Sequence, residues 1–399
     1  IQGLSAGIIQ PLAMAVTFKV FPAERRGTAM GLFAMGIVFA PAMGPTLGGI
    51  AIEWFNWRYV FLLTVPSSLL AVLLGMVFLP SRRIPSRLPL FDLIGFMLMC
   101  AALFSLLLAL SNGTRDGWDS DNILLLFGFG TVAAVSFILW ELRTPNPLLN
   151  MHLFSYPQFS AAALIAFFTG GVFLTSTFLI PVFVQQVQSY TPLRAGLLLM
   201  PGGLSLLLLF PLAGRISDSV PAGFLLSFGL CSFGIGFILL SGVSVDTPFW
   251  TFVAFTLFVR TGLGFTSPVT NAVALKSLPF ELVSQGSGTI SFIRQLGAAF
   301  ILNAVVAYLE YRVRFHGDAL TATQTAASRT SQSFLDGVRR ILSESGVPDS
   351  VQYSGALHYL GKIIQAQAQT FGFQDAFIIL AALSLLSLIA VYVLVRTRS

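Results

Sequence analysis

The chain has 399 residues, of which 55% are hydrophobic and 10% charged, and its mean hydropathy is +0.84. Soluble domains carry roughly 25% charged residues, so this composition leaves too little polar surface for a water-soluble enzyme or binding module and places the chain in a bilayer. The net charge of +6 and pI near 9.6 need no nucleic-acid partner, because the basic residues follow membrane topology.

A spanning helix needs about 20 mainly apolar residues, and the sequence breaks into eleven such runs. In chain order they cover 1–20, 29–51, 58–79, 93–111, 123–141, 158–187, 196–214, 223–243, 249–276, 286–309 and 375–395. Between the last two lies the one sizeable extramembrane piece, 310–374. Within it Phe334, Val338, Ile341 and Leu342 recur at helical spacing and predict a short amphipathic helix, ended by Gly346 and Pro348. A second helical stretch, 356–369, leads into the last span.

Positive residues in short loops stay on the cytoplasmic side. One side gathers Lys19, Arg25, Arg26, Arg82, Arg83, Arg87, Arg143, Arg215, Lys276, Arg396 and Arg398, while the short loops opposite hold only Arg58, Arg115 and Arg194. The C-terminus is therefore expected in the cytoplasm, and an odd helix count puts Ile1 outside.

The segment GIIQPLAMAVTFKVFPAE, Gly7 to Glu24, returns 257 residues later as GFTSPVTNAVALKSLPFE, Gly264 to Glu281, with seven of eighteen positions identical. Both copies run from outside to inside, on the first and ninth helices. Three helices precede the second copy in its half and none precede the first. The echo implies two related halves of six helices, with three helices expected ahead of Ile1 and the fourth and fifth spans of this chain as an inserted pair. The corresponding divisions are 1–79, the remainder of the N-terminal half; 80–157, the inserted pair with its linkers; and 158–399, the C-terminal half.

Several motifs carry a family resemblance. GLFAMGIVFAPAMGPTLGG, with Gly31, Gly44, Pro45, Gly48 and Gly49, resembles the antiporter signature of drug exporters, with Ala40 in place of a usual glycine. NWRYVFLLTVP, IPVFVQQVQSYTPLRAGLLLMPGG and ISFIRQLGAAF resemble further segments of the fourteen-helix drug:proton antiporters of the EmrB/QacA type, within the major facilitator superfamily. The resemblance spans essentially the whole chain. It implies an all-α polytopic fold that exports small amphipathic molecules or drugs across the inner membrane by alternating access, with a proton gradient as energy source and no cofactor. It also implies a periplasmic adaptor protein as partner at 310–374. An exporter of a narrow metabolite, such as a siderophore or amino acid, is the alternative.

Independently of the resemblance, glycines four residues apart allow close helix approach in lipid, and Pro45 removes a backbone hydrogen bond and bends its helix. Gly31, Gly44, Pro45, Gly48 and Gly49 thus read as either a pivot or plain tight packing. Ionisable groups at membrane depth are costly and mark function. Arg260, halfway along the ninth helix, is the leading pathway residue, the other reading being a local partner. Arg294 either faces a cavity or snorkels. Gln10, Asn271 and Gln295 are weaker cavity residues. All sixteen acids fall in loops or near helix ends, and the resemblance places the coupling carboxylate in the first family helix, ahead of this chain. PLAGRISD, 211–218, resembles the family's second cytoplasmic loop motif, with Arg215 and Asp218 as a latch. Cys100, Cys231 and three histidines show no metal or redox spacing. No nucleophile or metalloprotease motif supports a membrane-embedded enzyme.

Overall fold

Apolar runs punctuated by proline and glycine give helices and nothing else: the computed structural model describes residues 2–78, 91–324 and 328–396 and contains no strand among them. The helices are α1 (Gln2–Val20), α2 (Arg26–Trp54), α3 (Tyr59–Leu62), α4 (Thr64–Phe78), α5 (Leu93–Asp116), α6 (Asp121–Glu141), α7 (Pro157–Gln186), α8 (Pro192–Ile216), α9 (Ala222–Leu240), α10 (Phe249–Lys276), α11 (Val283–Ala322), α12 (Arg329–Glu344), α13 (Asp349–Leu386) and α14 (Leu388–Arg396). Among the described residues nine spans are long and apolar enough to cross a membrane, α3 with α4 and α13 with α14 each counting as one. With the helices α1 and α2, of 19 and 29 residues, this is roughly consistent with the eleven crossings expected from the sequence. Arg82, Arg83, Arg87 and Arg398 lie outside the described residues.

Local signals set the boundaries. Pro157 and Pro192 occupy the first positions of α7 and α8, where the missing N–H costs nothing and φ is already helical. The Asp92 carboxylate accepts from the Gly95 N–H at 2.9 Å and caps α5. Gly117, at φ +92°, closes that helix in a conformation that a side chain would strain.

The core is centred on the C-terminal half. Phe183 of α7 packs its ring against Phe252 of α10 and Phe373 and Phe377 of α13, and all four are buried. The span from Tyr59 to Val77 buries none of its apolar window within the protein, as befits a helix facing lipid. The inserted pair, α5 and α6, packs tightly on itself and joins the bundle through α11. There Thr114 donates to Glu310 at 2.6 Å and Arg314 donates to the Thr114 carbonyl at 2.8 Å.

The segment 310–374 is not the loop with two short helical pieces that the hydropathy pattern implies. At 40 residues α11 is about 60 Å long, twice the hydrocarbon thickness. It is met by α13, which starts 26 residues before the last apolar run. Their crossing is fixed by Asp375, which accepts from Arg312 Nε at 2.7 Å and lies 2.7 Å from His316 Nε2. Hydropathy missed these extensions because their surface is polar while their backbone remains satisfied within the helix. The amphipathic helix is α12, and it folds back on α13: Phe334 stacks on Tyr359 with centroids 6.3 Å apart. Phe334, Val338 and Leu342 are half-buried, whereas Ile341 is 63% exposed and lies off that face.

This docking has a simple expected consequence. Phe334→Ser should release α12 and raise its amide exchange about tenfold, the equivalent of ~1.4 kcal/mol of lost apolar contact. Exchange in α7 and α10 should stay unchanged; equal protection of α12 in wild type and variant would contradict the packing.

Candidate functional site

The two halves meet along α2 and α8, which run antiparallel in close contact over most of their length. The seam is made of backbone. A Cβ on Gly31 would lie 2.5 Å from the Phe210 carbonyl oxygen, one on Gly214 2.6 Å from the Gly27 carbonyl oxygen, and one on Gly49 2.8 Å from Leu193 Cα. No rotamer change relieves such contacts, since the obstructing atoms belong to the other helix's backbone. Towards the C-terminal end of α2, Thr46 donates to the Gly196 carbonyl at 3.1 Å.

Of the predicted pivot residues, Gly31 and Gly49 are in this seam. At Gly44 and Gly48 an added Cβ would meet nothing within 4 Å, so no close approach is made there. Pro45 falls outside the residues whose side chains are described. Gly27 and Gly31 share the four-residue spacing of Gly44 and Gly48, and theirs is the pair that packs.

At the N-terminal end of α2 the Asp218 carboxylate bridges three helices. It accepts from the Gly27 N–H at 2.7 Å, the Thr28 N–H at 2.9 Å and the Thr28 hydroxyl at 2.8 Å, and Lys276 Nζ approaches to 3.5 Å. The first turn of α2 has orphan N–H groups and a positive dipole end, so a carboxylate there gains twice. This corrects the expected latch: the exposed Arg215 side chain forms no ion pair with Asp218 among the described residues, and the two meet only where the Asp218 N–H donates to the Arg215 carbonyl at 3.2 Å. Gly27, Thr28 and Lys276 went unnoticed as latch residues, although the loop before α2 and the lysine shared by both copies of the echo were legible signals.

Within the C-terminal half, Arg260 is 5% exposed. Both terminal nitrogens of its guanidinium reach Thr177 Oγ1 at 3.3 Å, and Phe173 lies under it at 5.1 Å. A Cβ on Gly202 would come within 2.9 Å of Arg260 Cγ, so α8 has given up a side chain to admit the arginine. Arg294 does not snorkel: it donates across to Asn271 Oδ1 on α10, and its backbone and Cγ press on Gly170 of α7. The Asn271 amide nitrogen is buried with no hydrogen-bond partner among the described residues. Neither arginine forms an ion pair among the described residues. Gln295 is exposed and Gln10 half-exposed, and neither joins this group. Gly264 packs against Leu209, whereas its counterpart Gly7 is open.

Residues 1–302 match the family model for the Major Facilitator Superfamily. The chain belongs to that superfamily. Among its relatives are the multidrug export protein EmrB of Haemophilus influenzae, 30% identical over 98% of this chain and 75% of the relative, and an uncharacterized MFS-type transporter, YhcA, of Bacillus subtilis, 28% identical over 94% of this chain and 71% of the relative. The lincomycin resistance protein LmrB of Listeria innocua is 26% identical over 75% of this chain, which spans 63% of that relative's length. Membership of the EmrB/QacA-type branch agrees with these relatives, and the superfamily consists of multi-pass membrane transporters rather than enzymes.

The seam and its carboxylate give two expected outcomes. Gly31→Leu should drive α2 from α8 and cost about 1–3 kcal/mol, read as a lower melting temperature, while Gly48→Leu should melt like wild type; the reverse order would contradict the seam. Asp218→Ala should raise amide exchange at Gly27 and Thr28 at least about tenfold, consistent with the ~1.5–3 kcal/mol of hydrogen bonds to a charged group; unchanged exchange there would show that Asp218 does not hold α2.

Proposed function

We propose that this transporter exports small amphipathic compounds across the cytoplasmic membrane, driven by inward proton flow, with the C-terminus in the cytoplasm. Its two halves rock about the α2–α8 seam. The observation that carries the mechanical part is that the seam is close-packed backbone at Gly27, Gly31 and Gly214 and again at Gly49, while among the described residues a charged side chain bridges it at the Asp218 end alone. A carboxylate latch at one membrane face can release while the glycine contacts above it still slide, and that asymmetry suits alternating access. Export rather than uptake is supported by relatives named for multidrug export and lincomycin resistance.

Arg260 is the polar centre of the pathway in this reading. Among the described residues the buried guanidinium is held by a threonine hydroxyl and a ring without the counter-charge that membrane arginines take, so it is available to a passing anionic group or to a coupling carboxylate. The hairpin of α11, α12 and α13 is the docking site for a periplasmic adaptor, with exposed Ile341 on the outward side of α12 as its contact.

The test is a resistance profile against chemically varied toxic compounds, with Arg260→Ala and Arg260→Lys at matched membrane expression. Arg260→Ala should lower resistance about tenfold or more, the scale of removing a charged hydrogen-bond donor, and Arg260→Lys should recover part of it. Wild-type resistance in Arg260→Ala would remove the arginine from the pathway, and an empty profile for the wild type would overturn the export reading.

A further inference from the structure

The inserted helix pair borders a pocket that neither the seam nor Arg260 accounts for. Between α5, α6, the linker at 149–154, α7 and α11 lies an open-sided chamber of about 470 Å3, the size of a small-molecule site. Its one hydroxyl side chain, Ser160, is already spent, donating to the Phe154 carbonyl at 2.8 Å. Five phenylalanines line it: Phe137, Phe154, Phe167, Phe292 and Phe300. Ala102, Ala134 and Ala163 leave the room between them.

We infer that this chamber binds an uncharged aromatic group of lipophilic compounds dissolved in the bilayer. Its placement supports an antechamber to the pathway. The outer faces of the inserted pair, with Phe104, Leu125 and Phe129 all more than 60% exposed, are turned to lipid, so the chamber is reached from the bilayer. Its inner wall is the contact between α7 and α11, closed where Gly170 meets Arg294 and Gly297 meets the Phe167 backbone. Beyond that wall Arg294 holds Asn271. A rigid ring, unlike a lipid acyl chain, loses almost no internal freedom on entering, and it meets the surrounding rings in the edge-to-face and offset geometries that favour aromatic pairs. With no charged or unsatisfied polar group in the lining, a charged ligand would lose its hydration without replacement.

The role as an antechamber rests on the export reading, but occupancy does not, so the two fail separately. The transporter in liposomes is photolabelled with trifluoromethyl-phenyldiazirine, an uncharged arene, and the labelled residues are mapped. Labelling at Leu103, Phe137 and Phe292 is expected to saturate and to be displaced by benzotrifluoride, while labelling at Leu208, which is 76% exposed to lipid, rises linearly and is not displaced. Ala134→Trp, which fills the chamber, is expected to lower chamber labelling about tenfold, equivalent to ~1.4 kcal/mol, and to leave Leu208 unchanged. The displacement arm needs no variant, so it stands even if Ala134→Trp misfolds. Linear, undisplaced labelling at the chamber residues would show that ordinary acyl chains fill it and would overturn the inference. Saturable labelling with an empty resistance profile would uphold the site and remove its transport role.

Discussion

The close approach of α2 to α8 is the constraint from which most of the structure follows. In lipid there is no hydrophobic drive between helices, so association depends on contact area and on polar groups at the ends. Gly27, Gly31, Gly49 and Gly214 let two backbones touch, and Asp218 then finds the first turn of α2 within hydrogen-bond reach. Neither feature works alone. Without the glycines the carboxylate would stand too far from the N–H groups, and without the carboxylate the N-terminal end of α2 would carry orphan donors and a positive dipole with nothing to meet them.

The same economy explains the buried arginines. Small residues on neighbouring helices, Gly202 beside Arg260 and Gly170 beside Arg294, make the space that each long side chain fills. Both arginines take neutral partners, Thr177 and Asn271. The C-terminal half therefore holds two guanidinium groups at the depth of the bundle with no carboxylate paired to them among the described residues. The inserted helix pair, by contrast, contributes an apolar surface to the side of that half. Charge and apolar volume are thus separated by the α7–α11 contact.

The elements that the sequence revealed were those governed by a strong local rule. Length and apolarity marked the crossings, and the repeated segment marked α1 and α10 as related. The bilayer imposes that rule on every span, because each backbone group must be satisfied within its own helix. The polar extensions of α11 and α13 obey no such rule; they are helical because they pack on each other and on α12, a tertiary effect that hydropathy does not record. The site was legible in part. Arg260 stood out because one charge in an apolar run is conspicuous. Asp218 was also singled out, but with the wrong partner, since Arg215 is near in sequence whereas Gly27 and Thr28 are 191 and 190 residues away. Glycine spacing alone does not separate Gly44 and Gly48 from Gly27 and Gly31, which are also four residues apart, and only the position of α8 decides between them.

The most direct test of the seam as the moving part is a distance across its latched end. Spin labels at Arg25 and Ser219, both exposed beside the Asp218 contact, report whether α2 and α8 separate there in the reconstituted transporter. One short distance is expected at rest, with a second, longer population when a proton gradient and a transported compound are both present. The longer population should dominate without either in Asp218→Asn. A single unchanged distance under every condition, and in the variant, would contradict the account and place the motion elsewhere in the bundle.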